Sequence, residues 1–279
     1  MSEPYAPFAP RVAAHDCVVV ENEWVNSRYK YLRLVAPAPL ATATGAGQFY
    51  QLACPLTETA RPFLRRPMSV YGIGPEENRI EFLYHVKGLG THAIETLRPG
   101  DTFNIMGPLG NRFAFSAEWR RVLLVARGVG LATMAPLVPL AARAGVAMTV
   151  VLSARSPADL MQREFLRGKH ADVHAVFDSD GTSAVERVEA LARRLIETER
   201  PDMVYTCGSN RLLMLLQHLV DEYGFPGEVA LEQQMACAMG VCLSCVRLFR
   251  ENGRTEFRRV CCEGPVFPIA HVSGEVQFG

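Results

Sequence analysis

From about residue 10 to residue 113, apolar and polar positions alternate in short runs. The segments "DCVVVENEWV", "YKYLRLVAP", "GQFYQLACP", "MSVYGIG", "RIEFLYHVKG" and "DTFNIMGPLG" are rich in β-branched and aromatic residues, and Gly, Pro or Asn punctuates them. Period-two alternation broken by turn residues predicts half-buried strands, and a succession of them predicts a small antiparallel barrel. Only "LGTHAIETL" has helical spacing there, with Thr91 as its candidate cap. After residue 118 the rhythm changes. "RRVLLVARGVG" leads into "LATMAPLVPLAARAG", "AMTVVLSARS" into "ADLMQREFLRG", "ADVHAVFDSDG" into "SAVERVEALARRLIET", and "DMVYTCGSN" into "RLLMLLQHLVDEYG". Apolar strands alternating with amphipathic helices predict βαβ units on a parallel sheet. The remaining 50 or so residues are cysteine-rich and too few to hold a core of their own without a metal. The expected architecture is therefore a multidomain α+β chain: a barrel over 1–113, an α/β parallel-sheet domain over 114–227 and a small C-terminal module over 228–279.

Composition changes this picture little. The chain has 279 residues, 29 basic against 29 acidic side chains, and 49% hydrophobic residues, which describes a globular protein with an ample core. Balanced charge points away from nucleic acid. The most apolar stretch, "GVGLATMAPLVPLAA", is broken by prolines and too short to span a bilayer, so no membrane segment is expected. The start, "MSEPYAPFAPRV", lacks the basic and apolar regions of a secretory signal, and a cytoplasmic location is expected. In a reducing compartment clustered cysteines are metal ligands or redox groups rather than disulfides.

The cysteines change the picture most. Cys237-x4-Cys242-x2-Cys245, followed by "RRVCCEGPVF" with Cys261 and Cys262, has the plant-type iron–sulfur spacing. A short loop of small residues (Ala236, Ala238, Gly240, Ser244) can wrap three sulfurs around a cluster while a distant cysteine closes the fourth corner. On spacing alone that fourth ligand is Cys261 or Cys262. A zinc staple is the alternative, although it usually shows two C-x2-C knuckles and only one is present. Cys17, Cys54 and Cys207 stand alone in apolar surroundings and read as buried small hydrophobes.

Two weaker motifs accompany the cysteines. "VARGVG" ends a strand and opens a helix, where Gly128, Val129 and Gly130 would let a pyrophosphate approach backbone N–H groups; without a third glycine at the fingerprint spacing, a plain tight turn reads equally well. In "RRPMSVYG", Arg66 offers a cation, Pro67 stiffens the strand start and Ser69 offers a hydroxyl, as an anionic aromatic cofactor would need; an exposed arginine before a strand is the plainer reading.

Together these pieces resemble the ferredoxin-reductase superfamily, and within it the electron-transfer subunits of two-subunit, NAD-linked dihydroorotate dehydrogenases. The likeness runs in order over nearly the whole chain. The family's R-P-x-S flavin motif is matched by Arg66, Pro67, Met68 and Ser69; its aromatic strand and G-T pair by Leu83, Tyr84, His85, Gly90 and Thr91; its barrel-closing turn by "GPLGNRF". The family's last cluster ligand precedes the glycine of G-P-V-F by three residues, which here selects Cys261 and leaves Cys262 as a non-ligand. The resemblance implies FAD on the barrel, a [2Fe–2S] cluster on Cys237, Cys242, Cys245 and Cys261, and NAD(H) or NADP(H) as exchangeable substrate. Gly128, Val129 and Gly130 would then meet the nucleotide's phosphates, and Cys207 with Gly208 would border the nicotinamide. A catalytic flavoprotein dehydrogenase is the implied partner in a hetero-oligomer, and it would own the substrate's proton chemistry, so no general acid or base is expected here. One feature departs: the family's "GGGIG" turn is replaced by Arg127 before Gly128, with "LATM" intervening before Ala135, Pro136 and Leu137. Reductases of other redox complexes and oxygenases share these parts and form the alternative reading. A zinc-stapled binding protein is another.

Overall fold

A computed structural model describes residues 12–58, 61–160, 166, 171–251 and 253–274. The first part of the chain forms β1 (Ala13–Trp24), β2 (Tyr29–Val35), α1 (Leu40–Ala43), β3 (Phe49–Leu52), β4 (Arg66–Gly74), β5 (Arg79–His85), α2 (Leu89–Glu95) and β6 (Thr102–Leu109). The six strands close in the order β1-β2-β5-β4-β3-β6, with β6 pairing back onto β1. Alternation explains which way each side chain points. On β1, Cys17 and Val19 face inward while Val18 and Val20 face out, and on β2 Leu32 and Leu34 fill the barrel beside Ile80 and Phe82. In α2, Thr91 is not the cap. Gly88 takes that position, and Thr91 Oγ1 reaches back from the first turn to accept from the Lys87 and Gly88 amides at 3.0 and 3.1 Å.

The second part comprises β7 (Arg121–Arg127), α3 (Gly130–Met134), α4 (Leu137–Ala144), β8 (Ala147–Ala154), β9 (Asp172–Phe177), α5 (Val185–Glu199), β10 (Met203–Cys207), α6 (Asn210–Tyr223) and β11 (Gly227–Ala230). The single helix expected over 131–145 is two, because Pro136 has no N–H to continue the ladder after α3. The helix expected over 158–168 lies largely outside the described residues. The C-terminal segment adds β12 (Val246–Glu251), β13 (Arg254–Arg259), the single-turn α7 (Val260–Glu263) and β14 (Val266–Pro268).

The large sheet has the order β14-β11-β10-β7-β8-β9, parallel except for β14, which runs antiparallel to β11. Residues beyond the cysteine loop thus complete a sheet begun more than a hundred residues earlier. Strand order reverses between β7 and β10, and their carboxyl ends form the crevice where open α/β sheets place ligands. A second apolar cluster unites Tyr29, Tyr71 and Leu83 of the barrel with Ala132 of α3 and Ala135, so the barrel is docked against this crevice.

Candidate functional site

The β7–α3 turn and the β10–α6 turn meet backbone to backbone at the crevice. A Cβ on Gly130 would lie 2.5 Å from the Cys207 carbonyl oxygen, and one on Gly208 only 2.2 Å from the Arg127 carbonyl oxygen. Gly128 (φ +54°) and Gly208 (φ +95°) also adopt left-handed backbone. These contacts pack the two turns directly on each other, which brings the segment Gly128, Val129 and Gly130 beside Gly208. Cys207 is buried, and its thiol faces Thr133 Oγ1 at 3.7 Å in the interior, where burial pushes its pKa well up.

Arg127, the departure from the family turn, joins three strand ends. Its guanidinium donates to Ser153 Oγ at 2.7 Å and to both carboxylate oxygens of Asp178 at 3.1 and 2.7 Å. Ser183 Oγ also donates to Asp178, and Arg127 first, Ser183 second hold that carboxyl at about 2. Neither Ser153 nor Asp178 was singled out in the sequence, and no local signal marks them. Arg155 is exposed at the end of β8.

Across the crevice, β4 pairs with β3 in the register Arg66–Leu52 to Ser69–Phe49. Arg66 lies against Gly90, where a Cβ would come within 2.3 Å of its Nε. Two motifs 24 residues apart are therefore adjacent, with Thr91 beside them. Among the described residues Arg66 has no carboxylate partner; it donates to the Leu64 and Arg65 carbonyls at 2.5 and 3.3 Å. An unneutralised cation on a glycine and threonine seat suits an anionic cofactor. Met68 packs on the barrel core, and Tyr84 is buried with its hydroxyl donating to Asn22 at 2.9 Å, so neither side chain lines the crevice. Leu83 is buried in the apolar cluster with Tyr29, Tyr71, Ala132 and Ala135, and the half-buried His85 ring stacks on Tyr29 at 4.9 Å. Burial lowers the His85 pKa, helped by the nearby Arg28, Lys87 and Arg155 charges. Glu232 is exposed, yet it is crowded by protein near Lys87, and desolvation raises its pKa.

The cysteine loop is shaped by left-handed backbone at Ala238, Gly240 and Leu243. That curl aims amides at sulfurs. Met239 and Cys242 N–H groups both donate to Cys237 Sγ at 3.4 Å, and Cys261 N–H donates to Cys245 Sγ at 3.5 Å. The backbone of Cys242 thus meets the Cys237 sulfur, and that of Cys261 meets the Cys245 sulfur. Among the described residues no three histidine, cysteine or carboxylate side chains gather closely enough for one metal ion. The donor set and its amide hydrogen bonds fit the cluster. Hydrogen bonds from Ser244 and neighbouring amides lower Cys242 to about 6, while burial pushes Cys245 and Cys261 to about 11.

The cluster segment is tied to the barrel by a residue that sequence reading passed over as part of a turn. Asn111 Nδ2 donates to the Glu263 and Val266 carbonyls at 3.2 and 2.8 Å, and Val266 N–H donates to Asn111 Oδ1 at 3.0 Å.

Residues 232–273 match the model of the iron–sulfur cluster binding domain of dihydroorotate dehydrogenase B. Along its length the chain is 33% identical over 261 residues to the dihydroorotate dehydrogenase B (NAD(+)) electron transfer subunit of Desulforamulus reducens, covering 93% of this chain and 98% of that one. The chain belongs to this family of electron-transfer subunits. The homologue from Aquifex aeolicus is 31% identical over 254 residues, covering 91% and 96% of the two chains. Among solved structures, an NADH-dependent reduced ferredoxin–NADP oxidoreductase studied for flavin-based electron bifurcation superposes with a TM-score of 0.75 at 25% identity, covering 92% of this chain and 89% of that one. The ferredoxin reductase of carbazole 1,9a-dioxygenase shares the fold, with a TM-score of 0.60 at 16% identity and coverage of 77% and 67%. The protein is an oxidoreductase of ferredoxin-reductase-like fold, and its cofactors are FAD and a [2Fe–2S] cluster. An electron-transfer subunit implies a catalytic partner subunit. No helix among the described residues is long and apolar enough to cross a membrane.

Proposed function

We propose that this chain passes electrons between a nicotinamide nucleotide and a partner flavoprotein that oxidises dihydroorotate, within a cytoplasmic hetero-oligomer. Residues 1–113 hold FAD, 114–227 hold NAD(H) or NADP(H), and 228–279 hold the cluster. Bound between these units, the flavin supplies hydride exchange with the nicotinamide and single-electron exchange with the cluster. The protein's own part is positioning. Arg66, Pro67 and Ser69, the backbone of Met68, and Gly90 with Thr91 seat the flavin's anionic chain, and the strand of Leu83, Tyr84 and His85 offers it backbone, the Tyr84 side chain being turned into the barrel. Gly128, Val129 and Gly130 admit the nucleotide phosphates to backbone, and Gly208 with the backbone of Cys207 borders the nicotinamide. Cys237, Cys242, Cys245 and Cys261 hold the irons while the loop amides spread charge from their sulfurs.

The observation that carries the reading is the set of backbone amides, those of Met239, Cys242 and Cys261, aimed at the Cys237 and Cys245 sulfurs, in a segment pinned to the barrel by Asn111. Anaerobic purification with metal and flavin analysis, and a visible spectrum before and after NADH, tests it. The expected result is FAD, about two irons per chain, and bleaching by NADH. Zinc without flavin would overturn the reading. Bleaching without electron transfer to a dihydroorotate-oxidising subunit would assign the chain to another redox complex.

A further inference from the structure

We infer that Cys262 is a reserve ligand of the cluster, able to take the corner that Cys261 holds. This rests on the cluster-bearing function proposed above. Adjacent residues of an extended strand point to opposite faces, but Cys261 and Cys262 sit on the single-turn α7, where successive side chains are only about 100° apart. Their Sγ atoms lie 3.5 Å from each other. Cys261 is buried against Cys245, whereas Cys262 is exposed to solvent. Exposure does not turn Cys262 away from the loop. A Cβ added to Gly240, in the middle of the cysteine loop, would lie 2.8 Å from Cys262 Sγ. Cys262 Sγ therefore overhangs the same loop whose last sulfur, Cys245 Sγ, accepts from the Cys261 amide.

The turn that carries them is held in place. Arg259 N–H and Nε donate to Glu263 Oε2 at 2.8 and 2.9 Å, closing α7 on itself, and Arg259 Nη1 donates to the Gly240 carbonyl at 3.3 Å. Val260 N–H donates to the Cys245 carbonyl at 3.1 Å. With the backbone fixed, a χ1 rotation of Cys262 moves its sulfur toward the position of its neighbour. In the exchange, the bond from iron to Cys261 breaks as one to Cys262 forms. Cys262 releases its proton to solvent, Cys261 takes one up, and no electron moves.

Iron content, visible and electron paramagnetic resonance spectra, and alkylation by iodoacetamide test this on the full chain under anaerobic conditions. Cys262→Ala is expected to match wild type. Cys261→Ala should keep iron within about twofold of wild type with a shifted resonance spectrum, and the double variant should lose about tenfold or more. In wild type Cys262 is alkylated; in Cys261→Ala it becomes protected. Loss of iron in Cys261→Ala to the level of the double variant, with FAD content and circular dichroism unchanged, would overturn the inference. Should that variant fail to fold, Cys261→Ser decides: an all-thiolate spectrum supports the exchange, and a serine-ligated or iron-free protein refutes it. Wild type without iron would instead overturn the underlying function.

Discussion

Gly130 and Gly208 show how tightly single positions are constrained at the crevice. Each faces peptide backbone of the opposite turn at 2.5 Å or less, and backbone cannot swing aside as a side chain can. Gly208→Ala adds left-handed strain to this clash and should cost about 3 kcal/mol. Gly145 has similar φ (+71°) but open space around it, so Gly145→Ala should cost only about 1 kcal/mol. Urea denaturation of both variants measures the difference, and equal losses would remove the backbone contact as the cause. Asp178 makes a pH prediction. Its folded pKa is depressed to about 2 by Arg127 and Ser183, so its contribution is complete above the ordinary carboxylate range and is lost as pH falls toward 2. The pair is partly exposed, which limits it to about 1 kcal/mol or less. Asp178→Asn should therefore trail wild type in stability at pH 7, and the gap should shrink steadily from pH 5 to pH 3. A gap that widens on acidification would refute the assignment.

Among the elements, the turn after β6 has a role beyond closing the barrel. Its Asn111 ties the barrel to the residues around the end of α7 with three side-chain hydrogen bonds and a fourth from its backbone N–H to the Gly264 carbonyl. Asn111→Ala leaves two carbonyls and an amide without these partners and should cost about 2–3 kcal/mol. Because Glu263 and Val266 follow the cluster ligands closely, the same variant should also lose iron faster to a chelator. Unchanged chelation kinetics alongside lowered stability would confine Asn111 to the barrel. The two-helix break at Pro136 belongs to this scale too. Ala132 and Ala135, three residues apart on the face before the break, pack against Tyr71 and Leu83.

For the whole molecule, Leu83 is a joint between the barrel and the α/β unit: it is 3% exposed and packs across both. Leu83→Ala should cost about 2–4 kcal/mol and weaken the coupling between the units, so that calorimetry shows a broadened or split transition. Leu32→Ala, a change of the same size inside the barrel, should shift the barrel's melting without splitting it. Identical profiles for the two variants would show that the units do not communicate through this cluster.

What the sequence determined by itself is local. Alternation placed the barrel strands, because inside and outside differ by one residue along a strand. Three of the proposed cluster ligands were legible because they lie within nine residues of a loop, and the glycine turns because their backbone demands are short-range. The fourth ligand needed the family pattern, since two adjacent thiols present the same chemistry. Tertiary structure alone decided the rest. It aimed the Cys261 amide at the Cys245 sulfur, brought Arg66 against Gly90, set Arg127 across to Ser153 and Asp178, and joined Asn111 to residues more than 150 positions away. It also returned β14 to the sheet antiparallel. Such contacts depend on which surfaces bury one another once the chain has crossed over. No periodicity within a segment records that choice.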